Sequence, residues 1–422
     1  MLKFILWFSL LGWASAQPLH VVFEVEETLI PQKGKPKVNK YPLDLELGAR
    51  HMRPTAQGLS TFYDFDRCRI IEVSARGARE LSLYSVVGFR WAESHNRWRL
   101  GGALQAAGIK EGAGFFDPVQ TEHTFSILNP EAKTRPKLEG LRATYGKKLL
   151  LEGTAEGSPL SEQQARAYTR FLRYQFGGHP LALQQLEKSR KLPQILKLVF
   201  DEQPRRATFV VTLKNANPSS EPIAPEPAKH RADSEFEALA LRALELHDQA
   251  DHSRKIQEQA KAAIKNKQIL TSVLLYLADS LATGNQSGDQ LREHRELFQN
   301  DANCKVLFSN LSGQDEAASK KLKSLEKAAG PAVHILRIFE AGVLSARGQH
   351  SGAQRLYLEA LKTDPYIAGA WKDLGDMYFQ AFECEPAWQC WDAARHLAPE
   401  FKGLGQVAEL EQMLRKECPE FF

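Results

Sequence analysis

The sequence predicts an α+β chain, with a strand-rich antiparallel-sheet domain first and an all-helical domain after it. Three observations predict this. Up to about Lys214, apolar and polar residues alternate, as in Val21, Phe23 and Val25 and again in Leu43, Leu45 and Leu47. That period of two marks half-buried strands. From Ser234 to Lys416 the alternation stops, and apolar residues recur at three- and four-residue steps. Between the two lies the stretch 217–227, NPSSEPIAPEP, with four prolines in eleven residues. It cannot form a helix and has little to bury. The expected boundaries are therefore a strand-rich domain at 18–215, a proline-rich linker at 216–231 and a helical domain at 232–422.

Residues 1–16 read as a signal peptide. Lys3 supplies a positive start, Phe4 to Trp13 a short apolar run, and Ala14, Ser15 and Ala16 a small-residue cleavage site before Gln17. The run is too short to span a bilayer, and no later stretch is apolar enough to do so. This predicts a periplasmic or secreted protein with no transmembrane segment. The net charge of +4 over 422 residues is weak and gives no reason to expect a nucleic-acid partner. Five cysteines, Cys68, Cys304, Cys384, Cys390 and Cys418, are too few for a disulfide-built fold, and no C-x-x-C occurs.

The first domain opens with the two alternating strands, joined by the basic loop 33–40, KGKPKVNK. This loop reads as a solvated hairpin tip, with an anionic lipid headgroup as the sharper alternative. Residues 61–65 and 69–73 form a second strand pair. A helical pattern at 85–107 follows, in which Val86, Phe89, Ala92, Leu100, Ala103 and Leu104 recur at three- and four-residue steps. Strands return at 122–128, 141–145 and 149–153, the last two turning at Gly146 and Lys147. Ser161 and Gln164 make a capping box for a helix that stops at Gly177 and Gly178. Pro180 opens another helix at its favoured first position. Residues 208–213, TFVVTL, close the domain as a strand.

In the helical domain one stretch carries a pattern of its own. Trp371, Leu374, Gly375 and Tyr378 are followed by Ala387, Trp391, Ala394 and Pro399. Thirty-four residues upstream stand Ala353, Tyr357, Ala360 and Pro365. Small residues at Gly375, Ala387 and Ala394 would let two helices approach, with Trp371, Leu374, Tyr378 and Trp391 filling the space between them. These residues and spacings resemble the tetratricopeptide repeat. The first helix of the earlier repeat departs from the pattern, with Arg337 in the Trp place and Glu340 in the Leu place. Leu404, Val407, Leu410 and Leu414 then mark an amphipathic helix that looks like a cap for the array.

The resemblance implies an α-solenoid and a binding scaffold, and no chemistry. It places the partner groove on the first helix of each pair, at Lys372, Asp376, Phe379 and Gln380 and at Ile338, Gly342 and Ser345. It also brings the end of the cap helix towards the start of the preceding one, which makes Cys384 and Cys418 a disulfide candidate, with Cys390, one to two turns further in, as the competitor.

Motifs for catalysis are absent or imperfect. The run 140–148, GLRATYGKK, approaches a phosphate loop, but its glycines are one residue too far apart and Lys148 replaces the required Ser or Thr. His247 and His252 flank two aspartates, yet a five-residue step sets them about 140° apart on a helix. We therefore expect no catalytic residue, cofactor or metal. The expected function is that of a periplasmic adaptor holding a protein or peptide partner in the groove. The alternative is a carrier or sensor that binds a lipid or other apolar ligand in the first domain.

Overall fold

The computed structural model describes residues 17–31, 34–93, 136–202, 205–225, 232–284, 288–310 and 316–422. The expected signal peptide, the second half of the 85–107 helix and the strand at 122–128 lie outside these residues. The chain divides into two compact units. One holds Met1–Glu80, Glu93–Lys229 and Glu417–Phe422, the other Leu81–Ala92 and His230–Lys416. The fold is α+β, an antiparallel sheet followed by a solenoid-like helical region.

The strands are β1 (Leu19–Pro31), β2 (Lys37–Leu47), β3 (His51–Ala56), β4 (Leu59–Asp64), β5 (Arg69–Ser74), β6 (Gly77–Ser82), β7 (Lys137–Glu139), β8 (Arg142–Tyr145), β9 (Lys148–Gly153), β10 (Gly157–Pro159), β11 (Lys191–Pro193), β12 (Ile195–Glu202) and β13 (Arg205–Pro218). The helices begin with α1 (residues 83–93), α2 (Glu162–Gln175) and α3 (Pro180–Ser189). The helical region continues with α4 (Glu235–Leu244), α5 (Gln249–Lys265), α6 (Ile269–Thr283), α7 (Gly288–Glu293), α8 (Arg295–Asn300), α9 (Ala302–Phe308), α10 (Glu316–Ser324) and α11 (Glu326–Ala329). It ends with α12 (Val333–Ala346), α13 (His350–Thr363), α14 (Ala368–Gln380), α15 (Cys384–Leu397) and α16 (Gly405–Glu417).

Among the described residues, eleven strands form one sheet in the order β6-β5-β4-β3-β2-β1-β13-β12-β9-β8-β7. Its two longest strands, β1 and β13, pair at the middle with Val25 opposite Val211 and Leu19 opposite Pro218. Val21, Phe23 and Val25 on β1 and Leu43, Leu45 and Leu47 on β2 are all buried, as the alternation predicts. Phe23 stacks against Tyr168 and Phe171 of α2, each at 6.2 Å between ring centroids. That helix starts at the expected capping box, with Gln164 N donating to Ser161 Oγ at 3.2 Å and Ser161 N to Gln164 Oε1 at 2.9 Å. His179 caps α3 ahead of Pro180.

Three sequence boundaries shift. Lys37 to Lys40 belong to strand β2, and Lys40 pairs with Glu26 at 2.7 Å, so part of the expected basic loop is sheet. The expected linker is strand as far as Pro218, and its next residues are docked. Ser219 N donates to the Pro18 carbonyl at 2.8 Å, and Glu221 Oε1 accepts from Arg50 N at 3.1 Å and His51 N at 3.2 Å. A side chain at Gly48 would collide with the Glu221 carboxylate, so glycine there makes the room for it.

The third shift concerns residues 417–422, expected to end the helical domain. Phe421 is buried against Tyr174 at 5.0 Å, and the Arg173 guanidinium lies 4.8 Å over the Phe421 ring. Tyr174 Oη donates to the Phe421 carbonyl at 3.1 Å, and Arg173 pairs with Glu420 at 3.4 Å. These residues complete the core beside α2 in the first unit.

Candidate interaction surface

The second helices of the two expected repeats, α13 and α15, occupy 350–363 and 384–397, so each boundary recurs after 34 residues. Within them Ala353, Tyr357 and Ala360 stand in phase with Ala387, Trp391 and Ala394, and all six are buried. Trp371 and Leu374 are fully enclosed between α14 and its neighbours. Trp371 Nε1 donates to the Pro365 carbonyl at 2.9 Å, which ties the aromatic anchor to the turn before it. Gly375 faces the Trp391 ring directly, and Tyr378 is buried. Pro365 is buried at the turn before α14, and Pro399 is exposed just past α15.

The two departures in the earlier repeat have partners. Arg337, in the Trp place, pairs with Glu359 on α13 at 3.4 Å. Glu340, in the Leu place, is 3% exposed and accepts from Ser319 Oγ at 2.9 Å and from Lys323 Nζ at 3.0 Å. A buried carboxylate is tolerated only when it is paired and hydrogen-bonded, and α10 supplies both bonds.

The positions expected to line the groove do not all face open space. Ile338 is only 4% exposed. Helix α6 packs against both first helices, α12 and α14, which places a segment of the chain itself against them. Phe379 sits in an aromatic cluster, 5.7 Å from Trp388 and 5.6 Å from Trp391, so it is packing and not a free anchor. The sequence puts Phe379 outside because Tyr378 fills the core place, but Trp388 and Trp391 together offer Phe379 an aromatic pocket of its own.

Lys372 and Asp376 are half-buried and bound to each other at 2.6 Å. Asp376 Oδ1 also accepts from Trp391 Nε1 at 3.1 Å. Ser345 is half-buried, while Gly342 and Gln380 are exposed, and a methyl at Gly342 would meet no atom within 4 Å.

The rest of the helical unit packs around the repeats. Helix α4 lies on the second helices α13 and α15, with Phe236 5.3 Å from Tyr378 and Lys362 paired to Glu235 at 2.7 Å. His252 stacks on Tyr366 at 4.1 Å and reaches Asp364 at 3.3 Å, while His247 lies near His396. The two histidines of the 247–252 run thus serve two different contacts. His334 also points at Asp364, 4.0 Å away, and its burial holds its pKa below the ordinary imidazole value.

Cys384 and Cys418 are thiols and not a disulfide. Each is buried in a different compact unit, Cys384 at the start of α15 and Cys418 beside the turn that carries Phe421. Burial pushes the Cys384 thiol up to about 12, and Cys390 and Cys418 are also raised, chiefly by burial.

The run 140–148 is the β8–β9 hairpin, with Gly146 at φ +57° in its turn. Among the described residues no group of three or more His, Cys, Asp or Glu is arranged to hold a metal ion, and no helix is long and apolar enough to cross a membrane. No protein-family model and no curated protein matches the chain.

Proposed function

We propose that this protein is an exported interaction scaffold whose paired helices hold a polypeptide partner. The observation that carries this reading is the 34-residue recurrence of α13 and α15, with buried small and aromatic residues in phase. That recurrence, with the Gly375–Trp391 contact, supports the resemblance to tetratricopeptide repeats. Stacked helix pairs of this kind build surfaces suited to binding extended or helical peptides. The partner surface is proposed to lie around Gly342 and Gln380, the expected positions that are exposed, with half-buried Ser345 one turn from Gly342. Export rests on the signal-like residues 1–16 and makes the periplasm or the extracellular space the compartment in which to seek the partner.

The test is partner capture from that compartment with wild-type protein and with Gly342→Trp. The glycine is helical and open, so an indole there covers the surface without crowding the core. The reading expects Gly342→Trp to lose the captured partner while melting as the wild type does. Retention of the same partner by a Gly342→Trp, Gln380→Trp double variant would remove this surface as the site.

A further inference from the structure

Gln17 directly follows Ala14, Ser15 and Ala16, where the export reading places the cut. Cleavage there makes Gln17 the first residue of the mature chain, with a free α-amine close to its own carboxamide. Gln17 is exposed, and the fold holds it by its backbone carbonyl. Gln164 Nε2 donates to that carbonyl at 2.7 Å. The amide of Gln164 is oriented for this, because its Oε1 accepts from Ser161 N in the capping box of α2. The bond thus fixes the carbonyl of residue 17 and leaves the amine and the carboxamide on the solvent side.

The next two residues are anchored more firmly. Ser219 N donates to the Pro18 carbonyl at 2.8 Å. Leu19 starts β1 and is paired on both sides, opposite Leu47 on β2 and Pro218 on β13. Gln17 and Pro18 line a small recess with Leu47, Gly48, Gln163 and Ala167. The first residue of the mature chain therefore sits over the start of the central strands, beside the first turn of α2.

We propose that Gln17 is a modification site, and that the mature protein carries a pyroglutamyl residue there. This rests on the export reading of residues 1–16 and goes beyond it. The lone pair of the α-amine attacks Cδ of the same residue. The N–Cδ bond forms, the Cδ–Nε2 bond breaks, and ammonia leaves with the two amide hydrogens and one proton from the amine. Nothing is oxidised or reduced, and no co-reactant is consumed. An α-amine titrates at about 7.7–8.0, so a neutral, nucleophilic fraction is present near neutral pH.

Proline in second place opens a competing route, in which the same amine attacks the Pro18 carbonyl and cuts Gln17 and Pro18 off as a cyclic dipeptide. The fold opposes it. The Pro18 carbonyl is held by Ser219 N, and Leu19, which would have to leave, is locked between two strands. The lactam route needs no movement of either. It also suits the surroundings, because it removes the terminal positive charge beside the N-terminus of α2, where a cation is disfavoured. Glu162, the acid of that first turn, is already paired with Arg190 at 2.5 Å.

The test uses the full-length chain, expressed in its host and purified from the exported fraction. Amines are labelled at once in the folded protein, and the N-terminal peptide is read by tandem mass spectrometry. The expected peptide begins at residue 17, is one ammonia lighter than its sequence requires, and carries no label at its N-terminus. Gln17→Ala should be exported alike and should carry the label. A labelled Gln17 of full mass, a chain beginning at Leu19, or an unlabelled Gln17→Ala terminus would each overturn the proposal and leave the export reading standing. A first residue anywhere else would contradict the cut after Ala16, and with it both readings.

Discussion

Gly375 lies so close to Trp391 that a Cβ on the glycine would stand 2.6 Å from both Cδ1 and Nε1 of the indole. The Ala387 carbonyl oxygen would be 3.0 Å away, which closes the remaining route of escape. Trp391 cannot yield easily, because its Nε1 is bonded to Asp376 and its ring meets Trp388 edge to face.

Gly375→Ala should therefore destabilise the helical unit by about 1–3 kcal/mol through overpacking. Gly342→Ala is the control, since Gly342 is helical and nothing stands within 4 Å of an added methyl. There the helix preference of alanine should win and stabilise by up to about 1 kcal/mol. Urea unfolding of the two variants beside the wild type checks the pair. Equal effects would contradict the packing described.

Trp371→Ala should cost about 3–5 kcal/mol, because it empties a fully enclosed site and removes the bond to the Pro365 carbonyl. Phe379→Ala should also lower the melting temperature, though by less, since Phe379 is half-buried in its cluster. Differential scanning calorimetry of both variants distinguishes this from a free groove anchor, whose loss would leave the melting temperature unchanged.

The burial of the small and aromatic residues of α14 and α15 was legible in the sequence, because such residues recur there at a fixed interval. Trp371, Gly375, Ala387 and Trp391 are buried where the pattern puts them. The central strands were legible through the alternation at Val21, Phe23 and Val25. Strand β3 was missed because Pro54 sits within it, and a proline demotes a strand reading. The packing of α6 against α12 and α14 and the seating of α1 on Trp388 were not legible. Both join segments far apart in sequence, and periodicity reports only which side of a helix is buried and not what covers it. Gly88 held the one available signal, a glycine inside a helical pattern, which marks close approach when it has a packing reason.

Arg173 is 2% exposed and takes an acidic partner, Glu420, from the far end of the chain. Glu420→Gln should destabilise the first unit by about 3 kcal/mol, the low end for breaking a buried ion pair, because Glu420 itself keeps some solvent contact. Phe421→Ala should be at least as costly, since it empties the space beside Tyr174. Chemical denaturation followed through the sheet's far-ultraviolet signal measures both. If removing 417–422 left the first unit's unfolding unchanged, the docking of this segment would be disproved.

Burial lowers the His334 pKa below 6.5, and the neighbouring Asp364 offsets this only in part. A histidine held neutral in the fold contributes stability that is present above its unfolded pKa and lost as pH falls through its folded value. The melting temperature should thus drop as pH falls below about 6.5, and His334→Gln should flatten that slope. Melting curves across this range decide the matter, and an unchanged slope in the variant would place the acid sensitivity elsewhere.

The central claim, that the paired helices hold a polypeptide, is tested most directly by site-specific photo-cross-linking in the native compartment. Photoreactive residues go in place of Gly342 and Gln380 on the repeats, and in place of Lys147 in the exposed β8–β9 turn as a reference. The account predicts one defined polypeptide adduct from positions 342 and 380 and none of that mass from 147. No adduct at 342 and 380, or the same products from all three positions, would contradict it.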